Sequence, residues 1–161
     1  MKKKMFIFPG VGSHHVGMGK EFYDNFKVVR DIFAEASEVL QVDMEKMIFS
    51  KEEAAQLNRL ENSQTALFTV SVATYRVYME EIGDRPFCCM GHSLGEYSAL
   101  CSAGVVDFSK ALIMVQERGL ILNRVAASLK GIMAWVINLD NKIVEEVCRQ
   151  GFQEGHEIYL S

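Results

Sequence analysis

The 161 residues are 49% hydrophobic and carry a net charge of −4. That length and apolar content suit one ordinary globular domain. The acidic balance excludes a nucleic-acid binder, which wants a basic face for phosphate. No apolar run has the length to span a bilayer, and the basic opening "MKKKMFIF" stops at Pro9-Gly10, too short for an export signal.

Taken in chain order, "KMFIFPG" (4–10) predicts a short buried strand, and "GVGSHHVGMG" (10–19) a glycine-rich loop. From Lys20 to Leu40, apolar residues at Phe22, Phe26, Val29, Phe33, Ala36 and Leu40 keep the helical period. A short acidic helix is expected at 50–57. A mostly buried helix follows at 63–83, started by Ser63 and stopped by Gly83. "PFCCMG" then reads as a strand, followed by a turn, a short helix to about Ser102, and a long amphipathic helix over 107–129. Beyond Lys130 the pattern predicts a strand (131–139), a capped helix (140–152) and the opening of another strand (156–161). A subdomain boundary is therefore expected near Lys130.

Strands alternating with helices predict an α/β fold, a parallel sheet with helices on both faces. In such sheets, sites form at the carboxyl ends of the strands. The loops after Phe8 and after Met90 both leave such ends, so they are expected to face one another. Cys88, Cys89, Cys101 and Cys148 lack metal-type spacing. They are expected to be reduced core residues of a cytoplasmic protein, with no metal bound.

The strongest chemical signal is Gly91-His92-Ser93-Leu94-Gly95. This Gly-x-Ser-x-Gly spacing places a serine on a sharp strand-to-helix turn with its hydroxyl exposed, and the glycines leave room beside it. Ser93 is the candidate nucleophile. The loop "FPGVGSHHVGMG" lacks the Gly-Lys-Ser/Thr of a phosphate loop, and His15 stands where the dinucleotide pattern needs glycine. A better role is an oxyanion hole, in which the backbone amide of Val11 pairs with that of Leu94; each such amide is worth about 3 kcal/mol. A plain strand-to-helix turn remains the alternative. Arg118 lies on an apolar helix, and spacing alone leaves open a structural ion pair with Glu117 or Glu96. Gln64 by itself carries no signal.

Together these segments resemble the malonyl-CoA:acyl carrier protein transacylase family, including polyketide synthase acyltransferase domains. "FIFPGVGSHHVGMGKEFY" is similar to the family's opening motif, "ENSQTALFTVSVATYRVY" to its Gln-Pro-Ala-Leu helix, and "GHSLGEYSALCSAGVVDFSKAL" to its nucleophile region. "ERGLIL" matches its arginine segment, and "GIMAWVINLDNKIVEEVC" resembles the start of its ferredoxin-like small subdomain. The resemblance covers the whole chain. It implies a hydrolase-like large acyltransferase subdomain over 1–130 and an incomplete ferredoxin-like subdomain over 131–161.

It also implies a reaction in fatty acid or polyketide biosynthesis. Ser93 would take malonyl from malonyl-CoA as an ester and pass it to the phosphopantetheine thiol of an acyl carrier protein. No bound cofactor is implied; malonyl-CoA is a substrate. Arg118 falls at the position that clamps the free malonate carboxylate. Gln64 falls at a site-lining position, Leu94 at an oxyanion-hole amide, and His92 beside the nucleophile is grouped with the substrate-binding residues. Val11 and His14 replace the family's usual glutamines, and Thr65 its usual proline. An acyl-carrier-protein hydrolase of the same fold, or a non-catalytic truncated fragment, are the alternatives; Arg118 argues against the hydrolase, which would bury an unpaired charge.

A serine needs a base. The family's histidine lies downstream of the segments matched here, so the resemblance implies a missing C-terminal segment or second chain as partner, and poor transfer by residues 1–161 alone. Within the chain, His14 and His15 on the facing loop are the local candidates. His92 points away from its neighbour on a tight turn, and His156 opens the last predicted strand.

Overall fold

The computed structural model describes residues 3–128, 131–134 and 136–160. The chain divides into two compact units, Met1–Ser128 and Leu129–Ser161; Lys130, at the expected boundary, lies outside the described residues.

The first unit begins with β1 (Met5–Phe8), which later pairs in parallel with β2 (Cys88–Gly91). Between them come α1 (Lys20–Asn25), α2 (Lys27–Leu40), α3 (Met44–Phe49), a 3-10 turn (Lys51–Glu53), α4 (Ala54–Leu57) and α5 (Leu60–Glu81). After β2 the chain turns into α6 (Gly95–Ser102) and α7 (Phe108–Ser128).

The parallel register sets Phe6 opposite Cys89 and Ile7 opposite Met90. Because side chains alternate across a strand, Phe6 and Phe8 share one face. They meet Tyr75 and Tyr78 of α5, with Phe6 edge-on to Tyr78 at 4.6 Å between ring centroids. The opposite face carries Met5, Ile7 and Met90, and Ile7 is 71% exposed. The expectations of buried strands and of helices on both faces are corrected here: among the described residues of the first unit no element covers that second face. The expectation of four core cysteines is corrected as well: Cys88, Cys89 and Cys148 are only half-buried, and Cys101 alone of the four is a core residue.

The core is instead built by helices. On α2 the buried residues Val29, Ile32, Phe33, Ala36 and Leu40 form one stripe of helical period. Tyr23, Phe33 and Phe49 cluster at 5.1 to 5.5 Å between centroids, and Phe68 of α5 stacks on Phe108 of α7 at 5.4 Å. The stretch expected as one helix over 20–40 is two, broken where Phe26 turns extended (φ −119°, ψ 125°). Arg30 makes the break tolerable, because its guanidinium donates to the carbonyls of Tyr23 and Asp24 left open at the end of α1. The buried helix starts three residues before Ser63 and ends as expected, with Gly83 at φ 73° donating to the Tyr78 carbonyl.

In the second unit, α8 (Asn141–Gln153) forms where a capped helix was expected, with the Asp140 carboxylate accepting from the Lys142 amide. The predicted strands do not form: residues 131–134, 136–139 and 156–160 make no ladder. A strand is held by hydrogen bonds to a neighbour, and the described residues of this unit offer none. Trp135 and Ser161, inside those predicted strands, lie outside the described residues.

No helix among the described residues is long and apolar enough to cross a membrane.

Candidate active site

The turn between β2 and α6 is shaped by contacts that only glycine permits. A Cβ on Gly91 would overlap the carbonyl of Gly95, and a Cβ on Gly95 would overlap the carbonyl of Phe8. Between them Ser93 sits at φ 54°, the left-handed region that a non-glycine residue adopts at a cost. The turn thus lifts an exposed Ser93 off the end of β2 while Leu94 is fully buried beneath it.

The loop after β1 is joined to this turn. The His92 amide donates to the Phe8 carbonyl at 3.1 Å, and Gly10 lies so close that a Cβ would be 2.7 Å from His92 Nδ1. The two loops therefore face each other, as their exit from neighbouring strand ends requires. Gly95 and Glu96 turn their amides back to the carbonyls of His92 and Ser93. Among the described residues, no acceptor takes the amides of Leu94 or Val11.

Packing of α7 on α5 brings in the charged group. Arg118 Nη2 donates to Ser93 Oγ at 3.0 Å, and Nη1 donates to Oε1 of Gln64. The guanidinium carbon lies 6.0 Å from the Tyr97 ring centroid. Neither Glu117 nor Glu96 pairs with Arg118, so the ion pair left open by spacing is replaced by two neutral partners. Gln64 is fully buried, and its Nε2 has no partner among the described residues. Sequence reasoning missed Tyr97, although its place four residues after Ser93, one helical turn on, was a usable signal.

The histidines are placed as follows. His14 Nδ1 accepts from the Gly12 amide at 3.3 Å, so its other nitrogen carries the proton and donates to Asn58 Oδ1 at 3.2 Å. Neither ring nitrogen is hydrogen-bonded to Ser93. His15 Nδ1 lies 3.4 Å from the Ser13 carbonyl and therefore carries its own proton there. His156 lies in the second unit, where its amide donates to the Gly151 carbonyl.

Cys101 is no rival nucleophile, because burial pushes its thiol up to about 11 and keeps it protonated at neutral pH. No cluster of metal-ligating side chains occurs among the described residues.

The arrangement supplies an exposed hydroxyl, two unpaired amides on adjoining loops and a guanidinium beside the hydroxyl oxygen. It suits acyl transfer from a substrate that carries a negative charge near its carbonyl. The turn is sensitive to one added methyl: Gly95→Ala is expected to cost about 3 kcal/mol, read from denaturant midpoints, because the clash is with strand backbone and has nowhere to relax.

Comparison with known proteins agrees with this chemistry. The family model described as acyl transferase domain matches residues 5–155. Malonyl CoA-acyl carrier protein transacylase of Bacillus subtilis (strain 168) is 37% identical over 161 residues, covering 100% of this chain and 50% of its own length. The protein of the same name from Escherichia coli (strain K12) is 39% identical over 150 residues, covering 93% of this chain and 48% of its own. Among solved structures, MCAT from Streptococcus pneumoniae superposes with a TM-score of 0.84 at 36% identity, covering 96% of this chain and 50% of that one. A malonyl-transacylase solved in complex with its type II PKS acyl-carrier protein gives 0.84 at 36% identity, covering 95% and 49%. The chain spans about half the length of the curated relatives it matches.

Proposed function

The chain belongs to the acyl transferase domain family, and on that premise we propose that Ser93 accepts a malonyl group from malonyl-CoA and passes it to an acyl carrier protein. The observation that carries the reading is Arg118 Nη2 at 3.0 Å from Ser93 Oγ. In malonyl-CoA one CH2 separates the free carboxylate from the thioester carbonyl. A guanidinium beside the attacking oxygen is therefore within reach of that carboxylate while the carbonyl sits over the serine. The carboxylate would replace Ser93 Oγ as the acceptor for Arg118, a charge-assisted and geometrically selective pairing. It would also satisfy the orphaned Nε2 of Gln64. His92, packed against Gly10, is read as lining the same mouth.

The Leu94 and Val11 amides are read as the oxyanion hole. Ser93 Oγ attacks the thioester carbonyl, the two N–H groups take the developing negative charge, and coenzyme A leaves as its thiol. The reverse sequence with the phosphopantetheine thiol of a carrier protein releases Ser93. The Ser93 proton passes by way of a base to the leaving coenzyme A sulfur, and in the second half the proton of the carrier thiol passes the same way to Ser93 Oγ as the ester breaks. His14 is hydrogen-bonded to Gly12 and Asn58 rather than to Ser93. A hydrolase acting on neutral acyl chains is disfavoured, because it gives Arg118 no partner charge at the reacting centre.

The same reading takes residues 1–130 as a hydrolase-like large subdomain of a cytoplasmic enzyme. It takes 131–161 as the start of a ferredoxin-like one, whose apolar segments become strands when a neighbour pairs with them.

The test is transfer by the full natural polypeptide from malonyl-CoA to a phosphopantetheinylated carrier protein, followed by intact-mass spectrometry. A malonylated carrier protein is expected. Release of free malonate with no carrier product would refute the transfer reading in favour of hydrolysis.

A further inference from the structure

Arg118 reaches Ser93 only because of where α7 sits along α5, and the contacts that fix this register lie about one turn away. Gly119 packs directly on α5: a Cβ there would lie 2.5 Å from the Cα of Glu61. Four residues on, Asn123 Nδ2 donates to Oε2 of Glu61. The other carboxylate oxygen of Glu61 holds Arg59 Nη2 at 2.8 Å, and Glu61 is only 9% exposed. Gln64 follows Glu61 by three residues and so shares its face of α5. The helices run in opposite senses here, with residue 61 meeting 123 and residue 64 meeting 118. Two polar ties thus flank the Gly119 contact.

We infer that Glu61 and Asn123 are positioning residues, whose hydrogen bond locks α7 on α5 in the register that aims the Arg118 guanidinium at Ser93. A carboxylate suits the task, because its two oxygens serve Asn123 and Arg59 at once and leave no buried charge unpaired. A slip of one residue moves a helix by about 1.5 Å along its neighbour. That is enough to turn a hydrogen bond of normal length into a gap. The inference rests on the malonyl-transfer reading and deepens it: the tie sets how sharply the site separates an acyl group bearing a free carboxylate from a neutral one.

The test compares malonyl-CoA with acetyl-CoA in the full natural polypeptide, by kcat/KM. Asn123→Ala leaves Glu61 paired with Arg59. It is expected to lower the malonyl-over-acetyl ratio about tenfold, through the malonyl KM. Its melting temperature and its rate of Ser93 labelling by a neutral fluorophosphonate should stay near those of the parent. Glu61→Gln, which keeps an oxygen for Asn123, should retain most of the ratio. Arg59→Ala, which leaves the tie intact, should not change it. An unchanged ratio in Asn123→Ala overturns the inference, and so does an equal fall in Arg59→Ala. A parent protein with no malonyl preference refutes the transfer reading itself, and the inference with it.

Discussion

Ser93→Ala is expected to abolish covalent loading from malonyl-CoA, a loss of at least about 10³-fold in rate. The size follows from the turn. Ser93 stands at φ 54°, between glycines that admit no side chain, and its hydroxyl is lifted into solvent above a fully buried Leu94. A neighbouring hydroxyl has no equivalent place, and the Cys101 thiol is buried and protonated. Alanine keeps the two unpaired amides and the guanidinium, so coenzyme A binding should survive the loss of loading. Peptide mass mapping after incubation with malonyl-CoA decides the matter. A malonyl adduct on another residue, in a Ser93→Ala protein that loads normally, would refute the assignment.

Arg118→Ala should cut the preference for malonyl over acetyl groups by about 10- to 100-fold, the worth of hydrogen bonds to a charged partner. The direction is fixed by chemistry, since only malonyl presents a carboxylate to the guanidinium. Acetyl transfer should lose little or gain, because the alanine removes a cation that a neutral acyl group leaves unpaired. Arg118→Lys keeps the charge but not the fork that spans Ser93 Oγ and Gln64 Oε1, so it should fall between parent and alanine. Equal weakening of both substrates would mark Arg118 as structural.

The turn around Ser93 was legible in the sequence because the residues that mark it are neighbours, even though the carbonyl that forbids a side chain on Gly95 comes from Phe8. Its glycines, its serine and the flanking strand and helix are contiguous, and each leaves its own residue signature. The break at Phe26 was not, because the apolar period runs on through Phe22, Phe26 and Val29 while the interruption is held by Arg30 reaching back to open carbonyls. By spacing alone Arg118 showed as no more than an arginine on an apolar helix, and it was the family resemblance that pointed to a carboxylate clamp. Its hydrogen-bond partners come from α5 and from the turn before α6, and a contact such as Gly119 against Glu61, across 58 positions, sets α7 along α5 without any mark in the local sequence. The strands expected beyond Lys130 failed for a related reason. Their apolar composition is right, but a strand exists only with a paired neighbour, and propensity does not supply one.

The face of the sheet opposite α5 has a chemical corollary. It presents two thioethers to solvent, Met5 at 54% and Met90 at 49% exposure, while Met44 is fully enclosed in the helical core. Peroxide converts an accessible thioether to a polar sulfoxide and spares an enclosed one. The two strands thus carry a built-in tally of their own coverage: oxidation at Met5 and Met90, counted against Met44, registers whether another polypeptide surface lies over Ile7, without any label being added.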